Sequence, residues 1–233
     1  MLRLLAVLCS LASPAAAETA LAAVAANFAG TAEQLILAFN AKSGHRVTLT
    51  TGSTGKLYAQ IVRGAPFDLF LSADVETPAR LSGMGPIFPY AIGKLVLWAP
   101  QAGAKADPSD VLRTARYIAI ANPDLAPYGK AALSTLAALG FDAKAETRLV
   151  MGQNIGQTYG LVASGAAEVG FIAASTQPKG GLIWEVPETL HPSLQQDAIL
   201  LSEANPAAAG FAAYLHSDEA RAIVKTYGYG VPK

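Results

Sequence analysis

The feature that most constrains the fold is a repeated alternation of two hydrophobic rhythms. Short apolar runs with strand character are each followed by a stretch with helical period. Residues 21–25 read as a strand, and residues 31–43 as a helix stopped by Gly44. Residues 47–50 form the next strand and about 55–63 the next helix. Strand 68–71 and a short helix over 77–81 follow. This βαβαβ order predicts an open, largely parallel sheet covered by helices, an α/β fold.

Residues 94–99 make a strong strand ended by Pro100, and the polar segment 102–109 marks a change of region. A second set then begins: strand 116–121, helix 129–139, helix 155–164 and strand 169–173. Loop 177–181, strand 196–201 and helices 207–216 and 219–227 complete it. No Ser- or Pro-rich linker divides the sets, and no repeat of fixed period is present. Two α/β lobes joined by crossing strands near 95–99 and 199–201 fit this pattern. One doubly wound domain fits it as well.

With 52% hydrophobic and 15% charged residues over 233 positions, the chain has the material for a sizeable core and is not disordered. Lys plus Arg (17) equals Asp plus Glu (17), a formal net charge of +0. That balance argues against nucleic acid as a partner, and any charged ligand must be held by local groups.

The N-terminus reads as an export signal. Met1-Leu2-Arg3 gives a positive start, and residues 4–11 are apolar except for Ser10. Ser13-Pro14 then leads into Ala15-Ala16-Ala17, with cleavage expected after Ala17. The apolar run is far shorter than the ~20 residues that span a bilayer. Cys9 lies inside this segment, so the mature chain carries no Cys, disulfide framework or multi-cysteine metal site. Loss of Arg3 leaves 16 basic against 17 acidic side chains, a formal charge of −1. The expected location is the periplasm of a Gram-negative cell.

Four strand-to-helix junctions present helix N-termini, whose free N–H groups and dipole ends attract anions. The first is Ala25-Ala26-Asn27-Phe28-Ala29-Gly30-Thr31, where Asn27 reads first as a helix cap and alternatively as a ligand amide. The second, Thr51-Gly52-Ser53-Thr54-Gly55-Lys56, departs from a Walker loop: Thr50 stands where Gly is needed, and Leu57 follows the lysine. An oxyanion nest of Ser53, Thr54 and their amides survives that objection. The third runs from Asn122 to Gly129 and includes Pro127 and Tyr128. The fourth is Gly152-Gln153-Asn154-Ile155-Gly156-Gln157.

Other chemistry is weaker. His45, His191 and His216 form no zinc-type pair, and no Gly-x-Ser-x-Gly elbow occurs. Asp68 and Asp74 read as a strand-start residue and a helix-opening residue rather than a catalytic pair.

Taken in order, Ala25-Ala26-Asn27-Phe28, Gly52-Ser53-Thr54-Gly55-Lys56-Leu57 and Gly64-Ala65-Pro66-Phe67-Asp68-Leu69-Phe70-Leu71-Ser72-Ala73-Asp74 resemble the periplasmic molybdate-binding proteins of ABC importers. The likeness continues through Asn122-Pro123, Asn154-Ile155-Gly156-Gln157 and the closing 223–229 segment, covering nearly all the mature chain. It implies a two-lobed type II periplasmic binding protein fold with two crossing strands and a ligand cleft. Residues 18–98 plus 200–233 would form lobe I, and 99–199 lobe II. It implies a monomer with no catalysis and no cofactor, which captures molybdate or tungstate and delivers it to a membrane permease. By family position the contacts fall on Asn27, Ser53, Tyr128 and Ile155, the last two chiefly through backbone N–H. Thr54 and Phe28 would be neighbouring donors, and no residue ligates the metal atom directly.

Two departures stand out. Some members have Ser at the Asn27 position, and some donate a Tyr hydroxyl where this chain has Ala173, leaving Asn27 as the candidate replacement. Lys56 and Lys130 are expected to point outward, so neutral donors at four helix N-termini would hold the dianion. Sulfate, thiosulfate or phosphate binding is the neighbouring alternative. A serine hydrolase using Ser53 is the alternative of a different class, and it requires a histidine beside that hydroxyl.

Overall fold

The computed structural model describes residues 17–142 and 148–232. The expected export signal, Cys9 included, lies outside the described residues apart from Ala17. The first half runs β1 (Thr19–Ala25), α1 (Ala29–Ser43), β2 (Arg46–Gly52), α2 (Thr54–Val62), β3 (Leu69–Leu71), α3 (Glu76–Ala79) and β4 (Ile87–Ile92). Then come β5 (Leu95–Ala99), α4 (Pro108–Thr114), β6 (Ile118–Ala121), α5 (Pro127–Ala138), β7 (Leu149–Gly152), α6 (Ile155–Ala163), β8 (Val169–Ala173) and β9 (Leu182–Glu185). The chain closes with β10 (Gln195–Leu200), α7 (Pro206–Tyr214) and α8 (Asp218–Thr226). Among the described residues, no helix is long and apolar enough to cross a membrane.

The strands form two separate five-stranded sheets, in the orders β2-β1-β3-β10-β4 and β7-β6-β8-β5-β9. Of the two architectures left open by the pattern, the chain therefore adopts the two-lobed one. Each sheet is half parallel and half antiparallel, rather than largely parallel. β1 pairs in parallel with β2 and β3, whereas β10 runs antiparallel to β3 and β4. β6 pairs in parallel with β7 and β8, and β5 runs antiparallel to β8 and β9.

The expected crossing strands do not themselves cross. Hydrogen bonding to β8 and β9 holds all of β5 in the second sheet, and pairing with β3 and β4 holds all of β10 in the first. The chain changes lobe at Gly93-Lys94 and returns through residues 186–194. The expected lobe boundaries at 98/99 and 199/200 each shift back by about five residues. Gly93 N–H donates to Leu194 O at 2.9 Å and ties the two crossings together.

Period-2 alternation explains the layers, because successive strand residues face opposite sides. In the first lobe Val24 and Leu71 join Phe28, Leu35, Phe39 and Phe211 on one face. Ala23 and Phe70 join Leu57 and Ile61 on the other. The second lobe repeats this, with Leu97 and Ile120 against Leu112 and Leu136, and Trp98 and Ala119 against Val162. Sheets buried on both faces read as the near-continuous apolar runs seen in the sequence.

Helix limits follow ordinary capping chemistry. Gly44 stops α1 at φ 71°, Asp107 and Asn205 cap α4 and α7 ahead of a proline, and Ser217 caps α8. Asp68 accepts from Leu21 N and Asn205 Nδ2, and Asp74 accepts from Thr77 N, so both carboxylates order local backbone as expected.

Candidate functional site

The two parallel pairs place four loops on two sheet edges. Ala25 at the end of β1 sits opposite Gly52 at the end of β2, and Ala121 of β6 sits opposite Gly152 of β7. Ligand clefts of open α/β sheets form outside such carboxyl ends. Here the two edges face each other across the lobes. Gly55 N–H in α2 donates to Leu125 O of the second lobe at 3.0 Å, and Ser175 Oγ donates to Asn27 O at 2.8 Å. Ala25 and Ala73 of the first lobe share an apolar cluster with Tyr128 and Ile155 of the second. The cleft is closed.

Inside it lies a small cavity of about 10 Å³. Asn27, Ser53, Thr54, Tyr128 and Ile155 all line it, brought together from both lobes. Each is no more than 5% exposed, so the cavity is buried. Ala25, Ala26, Ala73, Ala126, Pro127 and Asn154 complete the wall. No carboxylate, ammonium, guanidinium or imidazole is among them.

Unused donors converge on this space. Ser53 is the N-cap of α2, yet its hydroxyl caps nothing and is buried without a hydrogen-bond partner. The N–H groups of Thr54, Tyr128 and Ile155 belong to the first turns of α2, α5 and α6, where no intrahelical acceptor exists. Thr54 Oγ1 accepts from Ala73 N at 3.1 Å, which leaves its own hydrogen to donate. Gly129 lets α5 start this close: a Cβ there would collide with Ala121 O at the end of β6. Buried donors left unpaired cost about 1–3 kcal/mol each, so the arrangement is complete only with an acceptor in the cavity.

Three expectations are corrected. Phe28 does not line the cavity; it packs edge-on against Tyr90 and Tyr229, with ring centroids 4.8 and 5.1 Å away. Asn27 does not cap α1. Its Nδ2 donates to Gln196 Oε1 at 3.0 Å and to Tyr229 Oη at 3.1 Å, so both amide hydrogens are engaged within the protein rather than turned toward the cavity. Finally, three α-helix N-termini rather than four point at the cavity, because the 3₁₀ turn Ala26–Phe28 precedes α1. The summed dipoles then amount to about 1.5 positive charges.

Lys56 is exposed, and Lys130 turns outward to Glu76 at 3.8 Å. Among the described residues no histidine bonds to Ser53, so the pair a serine hydrolase requires is not formed.

Behind the cavity lies a buried polar cluster that the sequence did not flag. Tyr229 Oη donates to Asn27 O at 2.6 Å, and Tyr90 Oη lies 2.9 Å from Gln196 Oε1 and 2.7 Å from Ser72 O. Burial, and then the neighbouring Tyr229, push the Tyr90 and Tyr128 phenols well above their ordinary value of 10.0; burial likewise raises Tyr229. These phenols stay neutral in the fold. Their raised values add stability that is complete below about pH 10, the unfolded value, and is lost as pH climbs toward the folded values. Urea midpoints should hold steady from pH 8 to about 9.5, then fall with the appearance of tyrosinate absorbance. A flat midpoint above pH 10 would contradict the assignment.

The profile of bacterial extracellular solute-binding proteins matches residues 20–230. The chain belongs to that family. This solute-binding protein is 42% identical to the molybdate-binding protein ModA of Rhodobacter capsulatus, over 97% of this chain and 93% of the relative. It is 41% identical to ModA of Azotobacter vinelandii, over 95% and 93%. The solved structure of the Azotobacter vinelandii periplasmic molybdate-binding protein superposes with a TM-score of 0.85 at 37% identity, covering 92% of this chain and 100% of that one.

Proposed function

We propose that this solute-binding protein captures molybdate, with tungstate as a second ligand, and hands it to the permease of an ABC importer. The observation that carries this reading is the Ser53 hydroxyl, buried and unpaired in a charge-free cavity at three helix N-termini. A fully ionised tetrahedral anion accepts at every oxygen and needs no acceptor from the protein. The names of the relatives at 41–42% identity supply the ion. The Ala15-Ala16-Ala17 processing site and the relative with a periplasmic description support action in the periplasm.

The chemistry orders the alternatives. Phosphate near neutral pH keeps a proton that needs a carboxylate or carbonyl acceptor, and no carboxylate lines the cavity. Asp124 lies in the neighbouring groove between Pro123 and Leu125. Sulfate has the right charge and shape but is smaller, and fixed donors cannot all follow it inward. Isothermal titration with the four ions tests this. Heat with molybdate and tungstate at one site per chain, and none with sulfate or phosphate at equal concentration, is expected. Heat with sulfate or phosphate alone would overturn the reading.

Because exposed cations contribute little through screened solvent, neutralising Lys56 and Lys130 together to Gln should change the molybdate Kd by less than about threefold. A larger loss, restored at low salt, would mean that charge rather than oriented amides holds the ion.

A further inference from the structure

Gln196 does not itself line the cavity, yet it contacts both halves of the wall from behind. It is fully buried at the start of β10, where the chain re-enters the first lobe. The β4–β10 ladder has a bulge here: Gln196 pairs with Ala91 and Asp197 with Pro89, so the ladder steps over Tyr90. Bulges re-aim side chains, and this one leaves the Tyr90 hydroxyl 2.9 Å from Gln196 Oε1. The same oxygen accepts from Asn27 Nδ2 of the first lobe, while Nε2 lies 3.4 Å from Tyr128 Oη of the second. Asn27 and Tyr128 are cavity residues on opposite walls.

We propose that Gln196 is a positioning residue for ligand capture, bridging Asn27 and Tyr128 so that both walls hold their donors at the closed spacing. The inference rests on the oxyanion reading above. Tyr229 and Ser175 both donate to Asn27 O, which fixes the Asn27 backbone and orients its amide toward Gln196. The carboxamide then transmits that position across the crossing strands to the first turn of α5. A residue serving only as core filler would leave the cavity geometry unaltered when replaced by an apolar side chain of equal length.

The test compares the full chain with Gln196→Met, which keeps the length and removes both polar ends. Titration with molybdate should show Kd rising about tenfold or more, the loss of one or two buried hydrogen bonds to the site. The melting increment produced by saturating molybdate should shrink with it, since that increment tracks Kd and not the stability of the free protein. Tyr128→Phe, which keeps the backbone N–H, should weaken binding to a similar extent. The double variant should be no weaker than the worse single one, because both cut one connection.

A lowered melting temperature of the free Gln196→Met protein with unchanged Kd would overturn the inference. So would losses that multiply in the double variant. If Gln196→Met does not fold, an unchanged Kd in Tyr128→Phe overturns it alone. Failure of the unsubstituted chain to bind molybdate would instead sink the oxyanion reading, and this inference with it.

Discussion

Ser53→Asp should reduce molybdate affinity by roughly a thousandfold or more while leaving the free protein at least as stable. Two unit charges about 4 Å apart interact by about 4 kcal/mol at an effective dielectric constant of 20, so a carboxylate facing a dianion opposes binding by about 8 kcal/mol. That is the whole binding free energy of a micromolar complex, about 8 kcal/mol. The new carboxylate would also accept the idle N–H groups of α2 and so occupy the anion's place. Aspartate is among the best N-cap residues and favours a helix N-terminus, which separates loss of function from loss of fold. Ser53→Ala removes one hydrogen bond to a charged ligand, about 1.5–3 kcal/mol, and should weaken binding tenfold or more. Calorimetry and thermal melting on the two variants read both quantities. A Ser53→Asp protein that still binds molybdate near the original affinity would place the ion elsewhere.

Gly93→Ala should lower both stability and affinity, because the added methyl enters the space between the lobes. A Cβ at Gly93 would collide with Tyr128 Oη and lie 2.6 Å from Gln196 Nε2. Neither group can swing away freely, since Tyr128 is 1% exposed and Gln196 not at all. Overpacking of this kind costs about 1–3 kcal/mol in stability. Displacement of Tyr128 also shifts the first turn of α5, and a loss of affinity of roughly tenfold or more follows from the same strain. Denaturant midpoints and titration of Gly93→Ala against the parent protein measure the two effects. An unaltered Kd would mean that the crossing tolerates a side chain and that the contact between Tyr128 and Gln196 is not used in binding.

The parts of this molecule legible in its sequence are those governed by local rules. Strands buried on both faces are apolar throughout, which is why β1, β3, β5, β6 and β8 were each visible. β2, an edge strand with Val47 alone fully buried, was visible from its β-branched run. The other edge strands escaped. β4 carries Pro89, which lacks a ladder donor and is tolerated because β10 is its sole neighbour in the sheet. β7 and β9, at the two edges of the second sheet, have only four residues each. The lobe crossing was misplaced for a related reason: one strong strand looks the same whichever sheet it enters, and only its partners decide.

The loops that bring Ser53, Thr54, Tyr128 and Ile155 to the cavity were legible because they follow strand ends at helix starts, a local pattern, and the family resemblance singled out the residues within them. The fate of the Asn27 amide was not legible, because it is set by Gln196 and Tyr229, 169 and 202 positions away. Phe28 shares its turn with Asn27, and adjacency alone made it a candidate. The alanines of the cavity wall carry no chemical signal, although their methyl groups set its size. Gln196 was missed because a lone glutamine near a strand start signals nothing until its partners are placed.

The most direct measurement is anomalous diffraction near the molybdenum absorption edge from crystals grown with molybdate. One strong peak inside the cleft, with oxygens within hydrogen-bond reach of Ser53 Oγ and the N–H groups of Thr54, Tyr128 and Ile155, is the predicted result. No peak in the cleft, or one on the surface beside exposed lysines, would contradict the account.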